Sequence, residues 1–286
     1  MTRPDMLRIA VPNKGALAEP AAEMLSEAGY ATRRDSRQLT LTDHENDVEF
    51  FYLRPRDIAV YVGSGTLDVG ITGRDLLLDS GAPATEVLEL GFAPSTFRYA
   101  ARVGGIASVS EIDGRRVATS YPGLVAKHLS DAGVTAEVVR LDGAVETAVQ
   151  LGVADVVADV VETGSTLRAA GLEVFGEPIL QSQAVLVRRD AAEAPAGTDV
   201  LVRRIQGVLV ARQYVMVDYD VPVELVDRAC AITPGLESPT VSPLQNKQWA
   251  AVRSMVPRAR TNQVMDELYE LGARAILVTT IHACRI

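Results

Sequence analysis

The sequence is poor in the groups that most often announce a function. Its 286 residues include two cysteines, Cys230 and Cys284, three histidines, His44, His128 and His282, and one tryptophan, Trp249. Two cysteines give no disulfide framework, and a chain that folds without one suits a reducing cytoplasm. The histidines and cysteines are scattered without the spacing of zinc ligands. There is no G-x-S-x-G nucleophile elbow and no G-x-x-x-x-G-K-[ST] loop, so neither a hydrolase serine nor a P-loop is expected. No run of about 18 apolar residues occurs, so no membrane-spanning helix is expected. The opening residues M-T-R-P-D-M-L-R-I-A lack a hydrophobic signal core. Positive charge is also short: 28 Lys and Arg stand against 37 Asp and Glu, a net charge of −9. That balance argues against non-specific nucleic-acid binding. An acidic chain that binds phosphates must do so locally, with a few basic residues, helix ends and Mg²⁺.

What remains is an ordinary globular composition, 48% hydrophobic and 23% charged, long enough for two or three domains. The most informative stretch is Leu151 to Leu167, L-G-V-A-D-V-V-A-D-V-V-E-T-G-S-T-L. Val156, Val157, Val160 and Val161 are β-branched, and such a run predicts a strand covered on both faces. It stops at Glu162-Thr163-Gly164-Ser165-Thr166. Gly164 can adopt positive φ and let backbone approach a ligand. Thr163, Ser165 and Thr166 add hydroxyls, and a helix from about Leu167 would aim its positive end at the same spot. Asp159 sits just before, where a carboxylate can meet ribose hydroxyls. The plainer reading is a strand-to-helix turn capped by Thr and Ser.

The rest of the chain alternates strands and helices, the α/β pattern. An apolar strand at Leu7 to Val11 breaks at Pro12-Asn13-Lys14-Gly15, which puts Lys14 at a strand top, where open α/β sheets bind ligands. A solvated loop lysine is the alternative. A strand at Val48 to Leu53 leads into a helix begun by Arg54-Pro55, with proline in its first turn. A buried strand at Leu67 to Thr72 ends at Gly73-Arg74-Asp75. The G-S-G-T-L-D before it follows a helix and lacks a third glycine, so it is not a dinucleotide fingerprint. Gly65-Thr66-Leu67-Asp68-Val69 parallels Gly152-Val153-Ala154-Asp155-Val156, a weak repeat that two similar α/β lobes would explain. In the second lobe a strand at Arg116 to Thr119, a helix at Pro122 to Ala132, a strand at Ala136 to Arg140 and a helix at Ala144 to Leu151 place Tyr121 and Glu146 at strand-to-helix tops. Packing would also account for Tyr121, and a helix N-terminal acid for Glu146. From Tyr214 the order reads β-α-β-β-α-β, a ferredoxin-like pattern. Asp218 and Asp220 fall where its first strand ends, and Thr240 starts another strand.

Taken together, Pro12-Asn13-Lys14-Gly15, Leu53-Arg54-Pro55, Asp68 to Asp75, Ala118 to Pro122, Asp142 to Glu146, Asp159 to Leu167 and Pro234 to Thr240 give the chain a resemblance to the ATP phosphoribosyltransferases in their long form. The resemblance implies two lobes like those of periplasmic binding proteins, residues 1–96 with 186–212 and residues 97–185, and a ferredoxin-like regulatory domain at 213–286. It implies transfer of the phosphoribosyl group of phosphoribosyl pyrophosphate to N1 of ATP, the first step of histidine biosynthesis, in a cytoplasmic homo-oligomer, dimer and hexamer. Glu162, Thr163, Gly164, Ser165 and Thr166 would hold the 5′-phosphate and Asp159 the ribose hydroxyls. Lys14 and Arg54 would meet phosphates, Asp75 and Tyr121 the adenine nucleotide, and Glu146 the reacting ribose, with Gly73 also in the substrate site. Mg²⁺ would come with the substrate, with no ligand set from protein alone. L-Histidine would inhibit from Asp218, Asp220, Thr240 and backbone near Ala275. Two other classes compete: a solute-binding or sensor protein, against which the missing export signal and T-G-S-T loop speak, and a non-catalytic amino-acid-responsive regulator, against which the acidic balance and the lack of a helix-turn-helix pattern speak.

Overall fold

The valine-rich stretch forms a central strand, and the fold is easiest to follow from the sheets around it. The structure is a computed structural model that describes residues 6–33, 35, 37–161, 164–191 and 193–285. The chain falls into two compact units, Met1–Glu23 with Tyr30–Asp199, and Met24–Gly29 with Val200–Ile286. It opens with β1 (Leu7–Pro12), α1 (Ala18–Glu27), β2 (Thr40–Asp43), β3 (Val48–Leu53), α2 (Pro55–Gly63), β4 (Val69–Gly73), α3 (Arg74–Ser80) and β5 (Ala84–Glu89). A second series follows: β6 (Ser95–Arg102), β7 (Arg116–Thr119), α4 (Pro122–Asp131), β8 (Glu137–Arg140), α5 (Thr147–Gln150), β9 (Val156–Val161), α6 (Ser165–Ala169) and β10 (Leu172–Ser182). β11 (Ala184–Arg189) then returns to the first sheet.

The first sheet runs β2-β3-β1-β4-β11-β5 and the second β10-β6-β9-β7-β8. In each, parallel strands, β3-β1-β4 or β8-β7-β9, are continued by an antiparallel strand that arrives from the other lobe, β11 or β6. β4 and β9 therefore hold equivalent places, and they are the strands that follow the two related segments at Gly65 and Gly152. The sequence repeat marks a structural one.

β9 is covered on both faces, as its valines imply. Val156 and Ala158 pack with Leu124, Val125 and Leu129 of α4. Val157 packs with Val145, Ala148, Val149 and Leu167 on the other side. Burying a valine contributes about 1.5–3 kcal/mol, so the first half of the strand is firmly placed.

Four strands carry no clear sequence signal: β2, β5, β6 and β10. β10 contains Gly176 and Pro178, which read as loop, and the structure accommodates them with a bulge between Phe175 and Leu180. The helix expected over Ala144 to Leu151 is only Thr147–Gln150, because Gly143 and Ala144 take positive φ of 93° and 47°. The helix after the valine strand starts at Ser165 rather than Leu167 and is five residues long.

α7 (Thr198–Gln213) leads into β12 (Tyr214–Pro222), α8 (Val226–Ile232), β13 (Thr240–Pro243), β14 (Trp249–Pro257), α9 (Thr261–Leu271) and β15 (Arg274–Thr280). The last six form a βαββαβ domain with sheet order β13-β14-β12-β15. Val215, Val217, Tyr219 and Val221 face a core shared with Ala229, Val264 and Leu268. This alternation carries β12 on to Pro222, so Asp218 and Asp220 lie inside the strand on its open face, not at its end. Among the described residues no helix is long and apolar enough to cross a membrane.

Candidate functional site

A cavity of about 280 Å³ takes its lining from both sheets of the first unit. Lys14, Pro55, Gly73 and Asp75 lie at or just beyond the ends of β1, β3 and β4, Tyr121 lies beyond β7, and Val160 is near the end of β9. These are carboxyl ends of parallel strands, where ligands of open α/β sheets bind. A wider depression of about 560 Å³ is lined by Arg102, Glu111, Arg115 and Asp155, at the amino ends of β7 and β9. It shares no residue with the 280 Å³ cavity.

Asp75 is held by a residue far away in sequence. The Ser182 hydroxyl accepts from the Asp75 N–H at 3.0 Å and donates to its carboxylate at 3.0 Å. The turn before it is fixed by the buried Thr72 hydroxyl, which donates to the Pro55 carbonyl at 2.9 Å. Tyr121 packs edge-on to Phe97, with ring centroids 5.1 Å apart. Its phenol is raised far above the usual range, first by burial and then by the negative charge of Asp75, with Arg56 opposing. The Arg56 guanidinium stands 4.8 Å from the centroid of that ring.

Asp159 is half-buried in the second half of β9. Burial raises its pKa, the Val160 N–H lowers it, and Glu146 and Asp75 raise it further while Arg56 opposes them. Glu146, at the start of α5, and Asp75 are thus close enough for Asp159 to feel their charges. A raised carboxylate pKa means the folded chain holds the proton more tightly than the unfolded chain, so stability falls as pH rises through the window above the ordinary carboxylate range. Asp159→Asn is expected to melt at a higher temperature than wild type at pH 8, with the gap closing towards pH 4. Equal melting at both pH values would show that the carboxylate carries no such penalty.

Gly164 is the N-cap residue of α6, in the left-handed region with φ 66° and ψ 15°. Ser165 and Thr166 are exposed at this turn. Glu162 and Thr163 lie outside the described residues. Lys14 is exposed on the wall of the cavity. Arg54 is exposed at the start of α2 and does not line it. Among the described residues no group of three or more His, Cys, Asp or Glu could hold a metal ion.

A cavity of about 420 Å³ lies within the C-terminal unit, and Asp218, Asp220, Thr240 and Ala275 all line it. The Asp218 carboxylate accepts from Arg253 Nε at 2.6 Å. Asp220 has no side-chain partner among the described residues. Ala275 has φ 50°, where β15 slips register against β12 between the pairs Asp218–Leu277 and Asp220–Arg274. Such a bulge leaves a residue unpaired and turns its backbone groups out of the ladder.

Three residues around the first cavity escape a reading of the sequence: Arg56, Asp79 and Ser182. Arg56 reads as a helix-start residue beside Pro55, and Asp79 as a solvated helix carboxylate. Nothing in local spacing links Ser182 to Asp75.

Comparison with known proteins places the whole chain. A family model described as ATP phosphoribosyltransferase matches residues 54–207, and one described as HisG, C-terminal domain, matches residues 211–283. The ATP phosphoribosyltransferase of Pseudarthrobacter chlorophenolicus is 67% identical over 285 residues, covering 98% of this chain and 100% of its own. That of Streptomyces coelicolor is 65% identical over 285 residues, with 98% and 100% covered. Among solved structures, the ATP phosphoribosyl transferase (HisG:HisZ) complex from Thermotoga maritima aligns with TM-score 0.60 and 25% identity, over 70% of this chain and 97% of that one.

Proposed function

The chain belongs to the ATP phosphoribosyltransferase family, and on that premise we propose how its residues divide the work. The reaction opens histidine biosynthesis by joining N1 of ATP to C1 of the phosphoribosyl group and releasing pyrophosphate. The observation that carries the assignment is the cavity lined from both sheets, with Lys14, Asp75 and Tyr121 around it. Asp75 and Tyr121 place the adenine nucleotide, with Gly73 also in the substrate site. The turn from Glu162 to Thr166 takes the 5′-phosphate on backbone N–H groups and hydroxyls, and Asp159 takes the ribose hydroxyls. Lys14 and Arg54 meet phosphate oxygens, and Glu146 lies near the reacting ribose.

The bond to C1 breaks with oxocarbenium character, so the chain's task is to hold both substrates in line and stabilise the departing anion. No protein nucleophile is needed. Mg²⁺ would enter as a passenger of the substrate, with Asp159, Glu146 and Asp75 supplying negative charge around it. When bound on pyrophosphate oxygens and water, it neutralises the leaving group's charge. Incubation with ATP, phosphoribosyl pyrophosphate and Mg²⁺ is expected to yield the coupled nucleotide and pyrophosphate together. Formation of neither would remove the assignment. Excess chelator is expected to lower turnover by about 100-fold or more. Full activity in chelator would refute metal dependence.

L-Histidine, as end product, is assigned to the 420 Å³ cavity. Its ammonium needs an acceptor and its carboxylate donors, and a free aspartate beside a bulged backbone offers both kinds of group. Val241 and Leu277, 46% and 62% exposed on that domain, suit burial between copies in a homo-oligomer, dimer or hexamer. Light scattering with and without histidine tests this. A cytoplasmic location suits a biosynthetic enzyme whose Cys230 and Cys284 are both free thiols.

A further inference from the structure

α4 is capped by a residue from the other lobe. Its own N-cap residue, Tyr121, makes no side-chain cap hydrogen bond. Instead Asp79 Oδ1, on α3, accepts from the N–H of Gly123 at 2.9 Å and of Leu124 at 3.2 Å. Asp79 Oδ2 receives Arg56 Nη1 at 2.8 Å, and this carboxylate side chain is only 8% exposed. The same guanidinium covers the Tyr121 ring. The two helices meet closely enough that a Cβ on Gly123 would lie 2.2 Å from the Asp79 carbonyl oxygen. A buried aspartate thus joins a helix N-terminus and an arginine. Parting the lobes would break the contacts of Asp79 with α4 and of Arg56 with the Tyr121 ring, while the Arg56–Asp79 pair would stay within its lobe.

We propose that Arg56 and Asp79 form a clasp between the lobes that positions Tyr121 against the cavity. The clasp itself rests on geometry alone. Its effect on turnover rests on the assignment of Tyr121 to the adenine nucleotide. Arg56 and Asp79 touch no reacting atom; they act through the tyrosine. Asp79→Asn keeps an acceptor for the helix N–H groups and loses the charge that holds Arg56, whereas Asp79→Ala loses both functions. Arg56→Met keeps the stem of the side chain and loses the pair and the cation over the ring.

Steady-state kinetics of these three variants, with Arg56→Lys as the conservative control, separates positioning from mere structure. The KM for ATP is expected to rise about tenfold in Arg56→Met and Asp79→Asn. The KM for phosphoribosyl pyrophosphate and kcat should stay within about twofold, because the Gly164 turn is untouched. Arg56→Lys should restore part of the loss. A lower melting temperature with both KM values unchanged would reduce the clasp to structure and overturn the positioning role. Hydrogen exchange of the peptide covering residues 121–126, measured without substrates, tests the clasp independently of turnover. It should quicken in Asp79→Ala and stay near wild type in Asp79→Asn. Unchanged exchange in Asp79→Ala would overturn the clasp, whereas inactivity of the wild type would count against the functional assignment and leave the exchange result to judge the clasp.

Discussion

Gly164→Val is expected to lower turnover by about 100-fold or more while the C-terminal unit stays folded. Gly164 sits at φ 66°, a region that costs a β-branched residue on the order of 1–3 kcal/mol. A Cβ there would lie 3.3 Å from Arg168 Nη1, the far end of a flexible side chain, and in ordinary contact with Val161 Cγ1 at 3.7 Å, so the strain comes from φ rather than from crowding. The chain would relieve the strain by swinging the turn, and the N–H groups proposed for the 5′-phosphate would swing with it. β9 would resist, because its first half is packed on both faces. The displacement should therefore stay in the turn. Trp249, the single tryptophan, belongs to β14, so its fluorescence reports on the C-terminal unit and should match wild type. Near-normal turnover in this variant would take the turn out of the site. Loss of the tryptophan signal would show general unfolding instead, and Gly164→Ala, which adds a methyl group without β-branching, would then replace it.

Asp220→Ala is expected to raise the histidine concentration needed for half-inhibition by about 10- to 100-fold and leave uninhibited turnover near wild type. Of the two aspartates in the C-terminal cavity, Asp218 already accepts from Arg253, so Asp220 is the better partner for an incoming ammonium. No residue lining this cavity also lines the 280 Å³ one. Inhibition from that cavity would then work through a change of assembly or closure rather than by displacing a substrate. Linkage also requires that a substrate favouring the active arrangement weaken histidine binding by the same factor. Retained sensitivity in Asp220→Ala would move the pocket elsewhere. Competition by histidine against both substrates would sink the two-site mechanism. Asp218→Asn is a useful companion, since it weakens the Arg253 pair and should have a smaller effect if Asp220 is the primary acceptor.

How far the fold could be read from the residues depends on where burial falls. The valines of β9, the apolar run of β4 and the proline-started helices α2 and α4 announce themselves, because two-sided burial selects apolar residues at every position and a helix start selects proline. β5 and β10 sit at sheet edges and mix apolar and polar residues without a clean alternation, so their pairing leaves little trace in composition. The two aspartates of β12 were misplaced by a few residues for a related reason: a charge on the open face of a half-buried strand looks locally like the strand's end.

Composition and spacing by themselves determined the α/β class, the Gly-containing turn after a buried strand, the paired lobes hinted at by the repeat at Gly65 and Gly152, and the βαββαβ order of the C-terminal domain. Each is a local matter: hydrophobic period, turn chemistry and capping all act over a few neighbouring residues. Only the tertiary structure decided which groups meet. It set Ser182 on Asp75, brought the charges of Glu146 and Asp75 within reach of Asp159, and carried Asp79 to the end of a helix in the other lobe. Such pairings form between residues from 13 to more than 100 positions apart because sheet order and lobe crossing bring them together, and no local pattern records sheet order. The energy that holds them comes from burial spread over both cores, while the chemistry they permit depends on a few distances near 3 Å that burial merely makes possible.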